Sequence, residues 1–168
     1  HGVLMALVFT TFFIMGLGYA ICHAQLQRIV GMKTAWLGFW MAVVGTVAAA
    51  YTILTGQSSV LYTFYPPMQA HPVFYIGATL LVVGSWLWGG VMIASYRSWK
   101  IDHPGQPVPM AMHGMLATII VWYLATSGLA WEVLFMLIPW SMGWVETIDP
   151  IIARTLFWWF GHPLVYFW

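Results

Sequence analysis

From Thr34 to Tyr96 the chain contains no Asp, Glu, Lys or Arg, a run of 63 residues. A helix needs about 20 consecutive apolar residues to cross a bilayer. This run is therefore long enough for two crossings, with a turn at Tyr65-Pro66-Pro67 between them. The few charged residues elsewhere lie in short clusters, and these clusters separate further uncharged runs at residues 1–27, 103–131 and 155–168.

The composition excludes several classes of protein. Charged side chains make up 5% of the chain and hydrophobic ones 62%, whereas roughly a quarter to a third of a soluble protein's surface is charged. A net charge of +1 gives no basic surface for nucleic acid. The single cysteine, Cys22, allows neither a disulfide framework nor a thiolate metal cluster.

The uncharged runs predict an all-α integral membrane helix bundle, which forms a single transmembrane domain over residues 1–168. Each run is continuously apolar, whereas the strands of a membrane barrel would alternate. His1 stands directly at the head of one span and Trp168 lies inside another, so we expect part of a longer membrane protein. The five predicted spans lie at about 1–22, 35–55, 73–96, 110–139 and 152–168.

The positive charges predict an orientation. Arg28 and Lys33 lie in the loop after the first span, and Arg97 and Lys100 lie in the loop after the third. Short loops rich in Lys and Arg stay in the cytoplasm, so these two loops are predicted to be cytoplasmic. The loops around 56–72 and 140–151 lack Lys and Arg and are predicted to lie outside.

Four of the six histidines have simple structural explanations. His23 and His103 lie in the basic loops and are expected to be solvated. His71 precedes Pro72, which is typical of a helix start with proline in the first turn. His113 enters its span from the cytoplasmic side, where interfacial anchoring explains it.

His1 and His162 are the candidate ligands, because each belongs to an apolar run where an unpaired imidazole is costly. Ligation and a hydrogen bond to a neighbouring helix are equal alternatives for a lone histidine. Gly2 favours ligation by His1, since a residue without a side chain lets a flat macrocycle approach. Trp158, His162 and Tyr166 repeat at intervals of four, which places them on one helix face, and Pro163 interrupts the helix beside His162.

Glu132 is the one carboxylate inside a predicted span, about 10 Å from the outer end of the fourth segment. A carboxylate inside a membrane is a functional candidate by default. A neutral or hydrogen-bonded structural role explains it equally well.

Residues 158–168, WWFGHPLVYFW, resemble the copper-ligand helix of the catalytic subunit I of haem-copper terminal oxidases, whose pattern is W-x-x-G-H-P-x-V-Y. The first five residues, HGVLM, resemble the same family's helix bearing an axial ligand of the low-spin haem. Residues 61–67, LYTFYPP, are similar to its outer loop near the haems. Residues 137–141 and 149–157 also match its B-family members. The resemblance covers the whole chain and corresponds to about helices II to VI of a subunit with twelve or more.

Leu164 points to one branch of that family. The A-family usually has a glutamate at this position, directly after the His-Pro pair, and a leucine cannot relay protons. The resemblance is therefore to the B-family branch of the cytochrome c oxidases. It implies a single proton route that ends at the active-site tyrosine.

The resemblance implies roles for four residues. His162 would be one of three copper ligands, and Tyr166 would be the catalytic tyrosine covalently joined to it. His1 would bind the low-spin haem iron, and Trp158 would lie near the haem-copper centre. The other ligands would lie on later helices, so this chain alone should be inactive.

The resemblance also implies cofactors and partners. The full subunit would hold two haems and copper and reduce dioxygen to water with proton translocation, in the inner membrane of a prokaryote as a multi-pass protein. Its partners would be membrane lipid, a copper-bearing subunit II and other oxidase subunits, with cytochrome c rather than quinol as the electron donor and no nucleic acid.

Two alternatives stay open. A nitric oxide reductase is a relative that keeps the histidines but lacks the helix tyrosine, so Tyr166 favours oxygen reduction. A cofactor-free membrane transporter would use Pro163 and the glycines to break helices around a site at the membrane midplane, and it would carry no pigment.

Overall fold

The structure is a computed structural model, and it describes residues 1–166. This part of the chain is built from five helices joined by loops, without a strand, which confirms the predicted all-helical class. Two of the helices contain π-helical segments, at Val3–Phe9 and Val133–Leu137. The helices are α1 (Val3–Leu26), α2 (Met32–Leu54), α3 (Pro72–Asp102), α4 (Met110–Ser141) and α5 (Pro150–Tyr166).

Helices α1 to α4 are long and apolar enough to cross a membrane, with 24, 23, 31 and 32 residues. Helix α5 has 17 described residues, just under the length of about 20 that a span requires. Phe167 and Trp168, which end the fifth predicted span, lie outside the described residues. The four long apolar helices are those of a multi-pass membrane helix bundle.

Successive helices run in opposite directions, so the loops fall into two groups. Loops 27–31 and 103–109 lie at one end of the bundle, here called the basic end. Arg28 joins the first of these loops to the end of α3, because its Nη1 donates to Ser98 Oγ at 2.8 Å and forms an ion pair with Asp102 Oδ2 at 2.7 Å.

Loops 55–71 and 142–149 lie at the opposite end, here called the acidic end because Glu146 and Asp149 belong to it. Gln69 Nε2 donates to the backbone oxygen of Trp140 at 3.0 Å, which joins the first of these loops to the end of α4. The start of α1 also lies here, since Gly2 contacts Tyr62.

Helix α3 continues past its predicted end. The sequence prediction stopped it at Tyr96, before the first charged residue, but the helix runs to Asp102. Arg97 is exposed, and the backbone of His103 still donates to the Trp99 oxygen at 3.1 Å. Charged residues mark where a helix leaves the lipid, and they do not end its hydrogen bonding.

Glycines bring α2 and α3 into close contact. A Cβ added at Gly38 would lie 2.8 Å from the backbone oxygen of Gly84, and one added at Gly77 would lie 2.5 Å from that of Gly45. Small residues at such contacts let backbones approach closely, which drives helix association in membranes where the hydrophobic effect between helices is absent. Helices α2 and α3 are therefore packed backbone against backbone at these positions.

Indole hydrogen bonds join α3 to α4. Trp122 Nε1 donates to Ser85 Oγ at 2.8 Å, and Trp86 Nε1 donates to Thr126 Oγ1 at 2.7 Å. A polar group in lipid costs free energy unless it is paired. Each bond satisfies a donor that would otherwise be buried alone, so the two helices are held in one register.

Candidate functional site

Helix α5 carries three of the four predicted site residues, Trp158, His162 and Tyr166. Its first turn is capped by Asp149, whose Oδ1 accepts from the amides of Ile151 at 2.8 Å and Ile152 at 3.2 Å. A short acidic side chain satisfies the free amides at a helix start, and Pro150 stands at the first position, where no amide is needed. These residues fix where α5 begins and therefore how deep His162 lies.

The structure brings the His162 and Tyr166 rings together. Their centroids are 4.6 Å apart and their planes are inclined by 56°. Both side chains are exposed on the described part of the chain, with 74% of Tyr166 accessible. Neither ring makes a hydrogen bond to another described residue, so the imidazole nitrogens and the phenol are free to meet groups outside this bundle.

Trp158 lies beside this pair and explains Gly161. A Cβ added at Gly161 would lie 2.7 Å from Cε3 of Trp158, because the indole ring covers the glycine. Trp158 also contacts Phe157 edge to face, with centroids 5.5 Å apart, and stays 39% exposed. Trp158 lies four residues before His162, which places the two residues on the same face of α5.

Helix α5 is anchored to α4 next to the site. Trp159 Nε1 donates to the backbone oxygen of Leu124 at 2.9 Å. The ring of Trp159 also lies against Gly128, where an added Cβ would come within 2.5 Å of its Cδ1. A cleft of about 420 Å³ opens between the two helices. It is lined by Val121, Leu124, Ala125, Trp158, Trp159 and Pro163.

The loop between α2 and α3 packs on α5. Phe64 is fully buried and meets Phe157 edge to face at 5.3 Å. Tyr65 meets the same ring at 5.8 Å. Aromatic pairs at this spacing stabilise contacts beyond their buried area. The LYTFYPP loop therefore lies directly over the helix that carries His162.

His1 is exposed at the acidic end, apart from His162. Its backbone oxygen accepts from Met5 at 3.0 Å, so it is part of the first turn of α1. The space over Gly2 is used by Tyr62, whose Cβ would lie 3.0 Å from a Cβ added there. Within residues 1–166 no group of three or more His, Cys, Asp or Glu side chains could hold a metal, so each candidate histidine offers one ligand only.

Two other histidines are placed by local contacts. His71 Nδ1 accepts from the Val73 amide at 3.3 Å ahead of Pro72, which confirms that it begins α3. His103 was expected to be solvated, but it is only partly exposed. Its ring stacks on Trp99 at 4.5 Å, because the helix continues far enough to bring the two side chains together.

Glu132 is completely buried on α4, and neither carboxyl oxygen has a hydrogen-bond partner within residues 1–166. Tyr75 of α3 is also fully buried, and its hydroxyl oxygen accepts from the Ala70 amide at 3.1 Å. The sequence prediction did not include Tyr75. A tyrosine near the start of a span is typical of the membrane interface, and nothing in its spacing along the chain shows that its side chain is buried.

Comparisons with known proteins point to the family that the sequence motifs resemble. The model of the family described as Cytochrome C and Quinol oxidase polypeptide I matches residues 1–168. The chain is 42% identical over 168 residues to cytochrome c oxidase subunit 1 of Thermus thermophilus. It also resembles a chain from the cryo-EM structure of a heme-copper terminal oxidase dimer, with a TM-score of 0.96 and 46% identity.

Both alignments cover 100% of this chain, which spans 30% of the length of the Thermus protein and 29% of that of the solved chain. All of this chain is therefore matched, whereas less than a third of each relative is. The family model, the sequence identity and the backbone likeness all point to one family. The chain belongs to the cytochrome c and quinol oxidase polypeptide I family.

Proposed function

We propose that this chain is part of the catalytic subunit of a respiratory terminal oxidase that reduces dioxygen to water and couples the reaction to proton translocation. Membership of the oxidase family supports the proposal. The observation that carries it is the contact between the His162 and Tyr166 rings, whose centroids are 4.6 Å apart. This pairing places a metal-binding imidazole next to a phenol on an exposed helix face.

His162 is proposed as a copper ligand. Imidazole suits copper. The His162 ring is exposed and makes no hydrogen bond to another described residue. His162 is therefore suited to supply one copper ligand. Further copper ligands must come from parts of the protein beyond residues 1–166, since those residues hold no cluster of three possible ligands.

Tyr166 is proposed as the catalytic tyrosine, joined covalently to His162. Cleavage of dioxygen without release of partly reduced products needs four electrons delivered together. The haem iron and copper, when bound, supply three of these electrons. The phenol of Tyr166 can supply the last electron together with a proton, and its position beside His162 holds the hydroxyl at the reaction site.

His1 and Trp158 complete the proposed assignments. His1 would bind the low-spin haem iron, for which an axial histidine is a common ligand. Its exposure at the acidic end leaves the imidazole accessible. Trp158 would lie beside the haem-copper centre, because it stands four residues before His162 on the same face of α5. The full subunit would then bind two haems and one copper.

The proposed setting is the inner membrane of a prokaryote, with the basic end in the cytoplasm. A copper-bearing subunit II, other oxidase subunits and membrane lipid would be the partners, and cytochrome c the electron donor. Family membership counts against the cofactor-free transporter. Tyr166 counts against a nitric oxide reductase, because that relative lacks the helix tyrosine.

The proposal is tested with two alanine variants of the complete subunit. His162→Ala should lower the copper content measured by elemental analysis and abolish oxygen reduction, while the low-spin haem band in the optical spectrum persists. His1→Ala is the matched control, since it should remove the low-spin band and leave copper bound. Normal turnover in His162→Ala would overturn the copper assignment, and an unchanged low-spin band in His1→Ala would make His1 a packing residue.

A further inference from the structure

Arg154 is a charged residue that the proposed oxidase chemistry does not use. The other four Lys and Arg residues of the chain belong to the basic end, whereas Arg154 lies in the second turn of α5, near the acidic end. Its side chain is exposed and forms no ion pair or hydrogen bond with another of residues 1–166. The helix dipole favours anions rather than cations near a helix start, so α5 itself does not stabilise this charge.

The surface around Arg154 is mostly apolar. An open cleft of about 570 Å³ is lined by Ile151, Arg154, Thr155, Trp158 and Trp159. Ile151 is 75% exposed and Trp159 is 60% exposed. Adjacent large apolar side chains of this kind mark a surface that another molecule or segment covers, rather than one that faces water. The cleft is therefore covered by lipid or by protein in the complete subunit.

The position of the cleft on α5 favours protein as its cover. Arg154, Trp158 and His162 repeat at intervals of four and share one helix face. Arg154 lies about 12 Å nearer the acidic end than His162, at 1.5 Å per residue. The proposed copper site needs further ligands on this face, and the part of the subunit that supplies them would also cover Arg154. This step rests on the proposed function.

We propose that Arg154 binds the carboxylate of an Asp or Glu side chain on the segment that packs against this face of α5. Covering a guanidinium with protein removes it from water, which is strongly unfavourable unless the charge is paired. The planar guanidinium presents two parallel N–H groups that match the two oxygens of a carboxylate. The pair holds the covering segment against α5, which makes Arg154 a positioning residue for the copper site.

A high-resolution structure of the complete wild-type subunit in its native assembly tests the pairing directly. An Asp or Glu carboxylate within about 4 Å of the Arg154 guanidinium, the usual limit for an ion pair, would support the proposal whether or not His162 binds copper. A guanidinium that binds a haem propionate or a lipid phosphate, or that contacts only water, would overturn it. The His162→Ala variant tests the copper assignment separately.

Variants of the complete subunit test the positioning role. Arg154→Gln removes the charge, and we expect a lower melting temperature and loss of copper to a chelator that is faster by roughly tenfold or more, the scale typical of losing a residue that supports a metal ligand. Arg154→Lys should restore part of both properties, because it keeps the charge but not the planar fork. Thermal unfolding in detergent and elemental analysis measure the two effects.

Arg97→Gln is the matched control, because Arg97 is also exposed but lies at the basic end. It should leave the melting temperature and copper retention close to wild type. If Arg154→Gln behaves like Arg97→Gln, or if Arg154→Lys is no better than Arg154→Gln, the charge of Arg154 does not position the site. The low-spin haem band, recorded for each variant, checks that the subunit is folded.

Discussion

At the scale of single residues, the hydroxyl of Tyr166 is the atom on which the proposed chemistry depends. Tyr166→Phe keeps the ring that contacts His162 at 4.6 Å and removes only the oxygen. We expect folding and haem binding to persist while oxygen consumption falls by roughly a hundredfold or more, the scale typical of losing a positioned proton donor. An oxygen electrode and an optical spectrum measure the two effects.

A matched control is Tyr51→Phe, since Tyr51 is also exposed, at 61%, but lies on α2 away from the site. It should keep full activity. Mass spectrometry of the wild-type peptide should show His162 and Tyr166 joined with loss of two hydrogens. An unlinked peptide together with an active Tyr166→Phe variant would favour the nitric oxide reductase alternative.

The sequence predicted the pairing of His162 with Tyr166 because residues four apart are neighbours on a helix. It also predicted that Glu132 would lie inside a span. It did not predict that Tyr75 would be fully buried, since its burial depends on how the helices pack against one another. Residue spacing is enough to predict contacts within one helix, whereas contacts between helices can be predicted only when the packing of the helices is known.

At the scale of helices, the position of His162 depends on how closely α5 packs on α4. Gly128→Ala would place a Cβ 2.5 Å from the Trp159 ring. Overpacking of this kind costs about 1–3 kcal/mol, so we expect a lower melting temperature. We also expect reduced copper content, because α5 must move away from α4. Thermal unfolding in detergent and elemental analysis measure these changes.

Gly114→Ala is the control on the same helix, because an added Cβ there has no neighbour within 4 Å in the described part of the chain. It should leave the melting temperature and copper content close to wild type. If both glycine variants behave alike, the contact between Gly128 and Trp159 does not set the position of α5.

Helix ends were harder to predict than helix existence. The start of α3 was encoded locally, by His71 and Pro72. Its end at Asp102 was not, because Asp102 pairs with Arg28, a loop residue far from it in sequence. A charge-based boundary locates the lipid surface, and only the packed structure shows how far the helix continues beyond it.

At the scale of the whole molecule, the candidate site faces away from the bundle. The buried face of α5 includes Phe157 and Phe160, whereas His162 and Tyr166 lie on its exposed face. The proposed copper site, with a single histidine from this chain, would be completed by other groups on that face. This agrees with a chain that spans 30% of the length of its Thermus relative.

The orientation of the molecule follows from the same separation of charges that defines its two ends. Arg28 and Lys33 belong to the basic end, as do Arg97 and Lys100, and cytoplasmic loops carry an excess of such residues. We therefore expect cysteines introduced one at a time at Gln106 and Glu146, both exposed, to behave differently. In a cysteine-free subunit in intact cells, an impermeant thiol reagent should label Glu146→Cys and not Gln106→Cys. After cell lysis both should be labelled, which controls for accessibility. Labelling of Gln106→Cys alone in intact cells would reverse the topology and place His1 at the cytoplasmic surface.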